Sequence, residues 1–340
     1  MNQKKLLTNV KNILVATQYN QIGDMIATLP MYAALKEKFP GSHITFAAAP
    51  TNYPIPFFDL NPYLDEVLIY DKSSLSTLLK FYKNIWKRKY QLAIAQSTIK
   101  MSRTAHVICF LSGAKIKLGV EAIDDEINKA GYLLNVKKKF SWNNEKKHQS
   151  IRGLELIQQL FKNEIIGDRS ENAVSIPYSH EDEKFVKNFL SGFKESDNFL
   201  LGIHPGAGKK ENIWDHEKFV EVIKKIDQKQ KVNVVITCGT IDEEIIIKIK
   251  KDLESCSIPY LTAKNFSINQ LSSLINTFNL YITNDTGPMH IAGSTSVKQI
   301  SLFGPTNAWE WGPIGINKVN VQSQSHNIND ISWDQIYNLI

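Results

Sequence analysis

Short apolar runs alternate with stretches of helical spacing along almost the whole chain. In the first half, residues 12–17, 43–48, 66–70, 91–95 and 115–120 are apolar runs of strand length. Between them, Ile22, Ile26, Leu29 and Ala33 share one face of a helix over residues 25–38. Further helices are predicted over 73–88 and 101–111. Pro30 should kink the first helix or mark its true start, and Pro40 with Gly41 ends it. Strands separated by helices imply a parallel sheet with helices on both faces.

A polar, lysine-rich passage over residues 135–148 precedes a helix over 149–162. The composition then turns polar over 167–180, where Pro177 sits, and the domain boundary is placed there. The alternation restarts with strands at 199–204, 232–238, 259–262, 280–283 and 299–303. Helices over 214–227, 242–253 and 268–276 lie between them, and another starts at Pro288. After Val319 the chain is polar, until Ser332 and Gln335 offer a capping box for a last helix over 333–340. The expected fold class is therefore α/β: two Rossmann-like, doubly wound parallel-sheet domains facing across a cleft. Residues 1–178 form the first and 179–325 the second. Residues 326–340 form a C-terminal helix, with the N-terminal domain as one candidate surface for it. In such sheets ligands bind outside the carboxyl ends of the strands.

A length of 340 residues suits two domains, and 43% apolar with 22% charged residues is an ordinary globular composition. The net charge of +6 is spread out, with small lysine clusters at 137–139, 146–147 and 209–210. A nucleic-acid binder would concentrate its cations on one element, so nucleic acid is not expected as a partner. A mild excess suits an anionic substrate or an anionic membrane surface equally. Cys109, Cys238 and Cys256 show no metal or disulfide spacing, and the first two are expected as buried thiols. Residues 1–11 lack the apolar centre of a signal peptide, and no run nears the roughly 18 apolar residues of a membrane span. Location in the reducing cytoplasm is expected.

Chemistry concentrates in the turns that follow strands. Asp285-Thr286-Gly287-Pro288-Met289-His290 joins a strand to a helix that Pro288 suits at its start. Free backbone N–H groups and the positive end of the helix dipole make such a turn an anion site. Asp285 could instead brace its own loop, and His290 could be a packed or capping residue. His204-Pro205-Gly206-Ala207-Gly208-Lys209 is a second such turn. Its glycines permit close backbone approach, and Lys209 or Lys210 could pair with phosphate. In a third turn, Asp242, Glu243 and Glu244 favour a helix dipole as first-turn acids, or the carboxylate four residues past Gly239, Glu243, accepts from ribose hydroxyls. In a fourth, Asp24 near a helix start is either a capping carboxylate or a general base. That turn holds Gly23 alone among the glycines of a dinucleotide fingerprint. No metal-ligand spacing and no Ser-His-Asp arrangement is readable.

With these turns in hand, the chain resembles the bacterial heptosyltransferases, glycosyltransferase family 9, over roughly residues 11–340. The resemblance rests on Gly23-Asp24 with Pro30, and on His204-Pro205-Gly206-Ala207 followed by Trp214 and Phe219. It rests further on Asp285-Thr286-Gly287 with His290, and on Phe303-Gly304-Pro305-Thr306. It implies a GT-B fold, an acceptor-binding first domain and a donor-binding second domain. It also implies an inverting, metal-independent transfer from a nucleotide-diphosphate sugar, usually ADP-heptose, to a lipid-linked or oligosaccharide acceptor such as the lipopolysaccharide core. No cofactor is implied, and a monomer at the cytoplasmic face of the inner membrane is expected. Asp24 matches the family's catalytic base. His204, Gly206, Ala207, Lys209, Glu243, Phe266, Asp285, Thr286, Gly287, Met289 and His290 match its donor-binding positions. Glu243 corresponds to the ribose-binding acid and Phe266 to a residue packing on the base. Asn20, Gln21 and Gly23 fall where the acceptor binds. Many relatives carry Arg and a Ser-Ser pair in the first turn, where this chain has Gln18, Asn20 and Gln21. Many also carry Lys at the position of Asn212. The competing readings are a sugar-nucleotide epimerase and a nucleotide-sugar-binding protein without transfer.

Overall fold

Apolar runs too short for helices become the strands of two sheets. The computed structural model describes residues 6–17, 21–51, 55–96, 100–161, 175–194, 197–239 and 242–340. They fall into two units, Met1–Ser170 and Glu171–Ile340.

In the first unit, β1 (Asn12–Ala16), β2 (His43–Ala48), β3 (Glu66–Ile69), β4 (Leu92–Ala95) and β5 (Ile116–Ile123) run parallel in the order β3-β2-β1-β4-β5. A short β6 (Glu126–Ile127) turns back antiparallel to β5. The order reverses at β1, where Ile13 lies opposite Ile44 on one side and Leu92 on the other. The first helix, Ile22–Lys38, packs on the helix Gln149–Gln158. It starts before Pro30 and continues past it, so Pro30 does not mark its start. The lysine-rich passage holds a strand that its charge conceals. This is β7 (Val136–Phe140), parallel to β5, with Lys137 and Lys139 exposed and Phe140 buried. A strand paired on one side can turn alternate charged residues to water.

In the second unit, six parallel strands follow the order β10-β9-β8-β11-β12-β13. They are β8 (Phe199–His204), β9 (Val232–Cys238), β10 (Tyr260–Lys264), β11 (Leu280–Asn284), β12 (Gln299–Phe303) and β13 (Lys318–Gln322). The start of the polar stretch after Val319, residues 320–322, thus belongs to a sheet strand, and a further helix, His180–Leu190, precedes the sheet. Trp214 is fully buried, and its indole N–H donates to the Ile331 carbonyl at 2.9 Å. The last helix, Trp333–Tyr337, lies on the helix His216–Lys229 of the same unit, with the Lys229 ammonium over the Tyr337 ring. The Ser332 hydroxyl caps it by accepting the Gln335 N–H. Counted from β8, the strand order is that of a dinucleotide-binding sheet, and β8 and β11 flank its switch point.

Candidate functional site

At that switch point Thr283 of β11 lies opposite His204 of β8, so the loops after both strands leave the sheet side by side. Asn284, fully buried, joins them. Its side-chain amide donates to the Pro205 carbonyl at 2.7 Å, and its oxygen accepts the Trp214 N–H at 3.4 Å. Asn284 was not singled out from sequence. Its signal is a polar residue closing an otherwise apolar strand.

The Asp285 carboxylate stands next in line. It accepts from the Asn212 amide at 3.0 Å and from the Thr306 side chain, and it feels the charge of Lys209. Burial outweighs these partners and raises its pKa above the ordinary carboxylate range. Thus the turns at 204–212, at 285 and at 303–306 meet at one carboxylate. Lys209 itself is exposed.

A second carboxylate, Asp242, was passed over in favour of its neighbour Glu243. Asp242 is buried and accepts the Gly239 N–H at 2.7 Å. It lies so close beneath Gly206 that a Cβ there would come within 2.0 Å of its Oδ1. His204 is buried between strands, with Nδ1 3.1 Å from the Thr237 hydroxyl and Nε2 3.9 Å from Asp242. Burial pushes its imidazole well below the usual range, against the pull of Asp242, so it is neutral at pH 7. Ala207 is buried.

Other expected donor residues are placed as follows. Glu243 opens the helix Glu243–Ser255, is exposed, and forms an ion pair with Lys264. Phe266 meets the edges of Phe185 and Phe189, with ring centroids 5.1 and 5.0 Å apart. Thr286 precedes the helix Gly287–Gly293 and makes no side-chain cap to it. Met289 is buried in the core, its N–H bonded to the Thr286 carbonyl and its carbonyl to the Gln299 amide. The side chain of Met289 therefore serves packing. His290 is half-buried and turns an edge to Trp311. Among the described residues no group of three His, Cys, Asp or Glu is placed to hold a metal ion. Cys109 is buried as expected, while Cys238 is half-buried and donates to the Ala263 carbonyl.

In the first unit, Asp24 sits on the first turn of its helix and accepts the backbone N–H of Gln21. It therefore caps the helix, but burial still carries its pKa up to about 6. Gly23 lies beside it, half-buried, and the Gln21 side chain is exposed. Asn20 lies outside the described residues. At the end of β4, the buried Gln96 accepts the Tyr32 hydroxyl at 3.3 Å, which ties the first helix to this unit's own switch point.

The model of glycosyltransferase family 9 (heptosyltransferase) matches residues 78–338. Lipopolysaccharide heptosyltransferase 3 of Escherichia coli K12 is 25% identical over 86% of this chain and 82% of its own length. A glycosyl transferase family 9 structure from Veillonella parvula superposes with TM-score 0.76 at 22% identity, covering 96% of this chain and 95% of that one. The E. coli heptosyltransferase WaaC with ADP-2-deoxy-2-fluoro heptose superposes with TM-score 0.67 at 15% identity, over 96% of this chain and 98% of its own. These likenesses show a GT-B fold.

Proposed function

Because the chain belongs to glycosyltransferase family 9 and is a glycosyltransferase, we propose that it moves heptose from ADP-heptose to a lipopolysaccharide core or related glycan acceptor. The observation that carries this reading is the meeting of the 204–212 and 285–290 turns at the switch point of the second unit. The relative named as a lipopolysaccharide heptosyltransferase and the solved ADP-fluoroheptose complex supply the sugar and the nucleotide.

The transfer is a single displacement with inversion and needs no metal. The acceptor hydroxyl oxygen attacks the anomeric carbon while its proton passes to Asp24. The bond from that carbon to the diphosphate oxygen breaks, and ADP leaves with the electron pair. A carboxylate with pKa near 6 remains ionised at neutral pH, yet it is basic enough to take a proton. Such a base contributes about 10²–10⁴-fold. Lys209 and the backbone N–H groups after Thr286 receive the charge that grows on the diphosphate, about 2.7–4 kcal/mol per good donor. The Asn284 bond holds His204, Gly206 and Ala207 in the backbone turn that passes the diphosphate. Glu243 reaches ribose once it releases Lys264, Phe266 packs on adenine, and His290 borders the sugar. Asn20, Gln21 and Gly23 meet the acceptor at the cytoplasmic face of the inner membrane.

A panel of nucleotide sugars read by thermal shift tests the donor, because binding raises stability by RT ln(1+[L]/Kd). ADP-heptose should give the largest shift. A response to another nucleotide sugar without one to ADP-heptose would overturn the heptose reading. Isomerisation of the sugar with donor alone would favour an epimerase instead.

A further inference from the structure

We propose that the helix Leu75–Arg88, with the end of the neighbouring helix Arg103–Leu111, is the surface by which this protein rests on an anionic lipid bilayer. The helix buries Phe81 and Ile85. Its other apolar line stays in water: Leu75, Leu79 and Trp86 are 73%, 60% and 57% exposed. At positions i, i+4 and i+11 these side chains stand one above another. The Trp86 indole N–H donates to the Leu111 carbonyl at 2.7 Å, which brings Phe110 and Leu111, 49% and 38% exposed, beside it. With its N–H satisfied, the indole presents an apolar edge, the character of an interfacial tryptophan.

Charge says what covers this surface. Lys80, Lys83 and Lys87 form a second exposed line about a quarter turn round the helix. None of the three pairs with a carboxylate among the described residues. Residues 73–90 contain no Asp or Glu, and Arg88 is held by Glu66. An apolar line with tryptophan flanked by lysines is the pattern of a helix lying in a bilayer interface. A second copy of the chain would present the same patch in an isologous contact. That patch brings no carboxylate to the lysines, whereas an anionic bilayer brings a sheet of phosphates. No helix among the described residues is long and apolar enough to cross a membrane, so contact at the surface is what this helix offers. The inference rests on the proposed lipid-linked acceptor for its purpose and names the surface that meets that lipid.

Co-sedimentation with vesicles of phosphatidylglycerol and phosphatidylethanolamine, against vesicles of phosphatidylcholine, tests it. The full chain should bind the anionic vesicles and leave the neutral ones. Removing three cations near an anionic surface, at about fivefold each, should make the combined Lys80→Gln, Lys83→Gln, Lys87→Gln variant bind on the order of 10²-fold more weakly. The Leu75→Ser, Leu79→Ser variant should also lose binding, with its charge intact. Both variants should keep the native circular dichroism and the ADP-heptose thermal shift, which separates this surface from the donor site. Three results would each overturn the proposal: no binding of the native chain to anionic vesicles, binding by either variant as strong as that of the native chain, or a dimer in ultracentrifugation that these substitutions dissociate. A missing donor response with vesicle binding intact would instead overturn the assigned donor.

Discussion

The side-chain amide of Asn212 donates to Asp285 Oδ2 at 3.0 Å, joining the end of the turn after β8 to the turn after β11. This chain restrains the carboxylate with a neutral donor and leaves Lys209 to supply charge. Removing one partner of a buried charged group costs about 1–3 kcal/mol. Asn212→Ala should therefore weaken ADP-heptose binding roughly tenfold in calorimetric titration, the equivalent of about 1.4 kcal/mol. Unchanged affinity would mean that the Asp285 turn is held without this bond.

Gly206 and Gly208 make an internal control. A Cβ on Gly206 would meet Asp242 Oδ1 at 2.0 Å, while a Cβ on Gly208 would meet nothing within 4 Å. Asp242 cannot yield freely, because its other oxygen holds the Gly239 N–H at 2.7 Å. Gly206→Ala should cost on the order of 1–3 kcal/mol in urea denaturation, as overpacking does, and should lower donor affinity. Gly208→Ala should leave both close to native. Equal behaviour of the two variants would show that the turn is soft.

For Asp24 the sign follows from its raised pKa. The native state holds this proton up to about pH 6, and the unfolded chain releases it near 4. Stability from this group is therefore present at low pH and declines as pH rises from about 4 to 6. At neutral pH the ionised, half-buried carboxylate is a cost. After allowance for solvent screening, Asp24→Asn should raise stability at pH 7 by on the order of 1–2 kcal/mol. Transfer should fall about 10²–10⁴-fold in the same variant. In the native enzyme kcat/KM should drop below about pH 6. A flat pH profile together with unchanged turnover in Asp24→Asn would remove this residue from the reaction.

His204 has the opposite sign. Its buried imidazole resists protonation, while the unfolded chain takes a proton near pH 6.5. Stability is fully present above that pH and is lost as pH falls below it. On going from pH 7.5 to 5, removal of His204 in His204→Gln should shift the change in urea midpoint toward higher stability relative to the native protein. Equal differences would place the acid sensitivity elsewhere.

Local pattern alone located most of this molecule. The strands at 43–48, 199–204, 232–238 and 299–303 stand at the bounds their apolar runs predicted, because a strand buried on both faces needs an unbroken run. The turns that bear His204, Asp285 and Asp24 were legible for a related reason: a glycine, a proline and a carboxylate at a strand's end constrain the backbone locally. Two strands at sheet edges, β7 and β13, were not legible, since they carry lysine, asparagine and glutamine and read as polar chain, whereas the more apolar edge strands β3 and β10 were. Nor could sequence rank two adjacent acids. Asp242, just before the helix, turns under Gly206, while Glu243, one residue on, points to Lys264. The helix Leu75–Arg88 makes the same point at larger scale. Its spacing offers two apolar lines, Phe81 with Ile85 and Leu75 with Leu79 and Trp86, and both are equally helical. Which line is covered depends on contacts made by residues far along the chain, and only tertiary packing decides it.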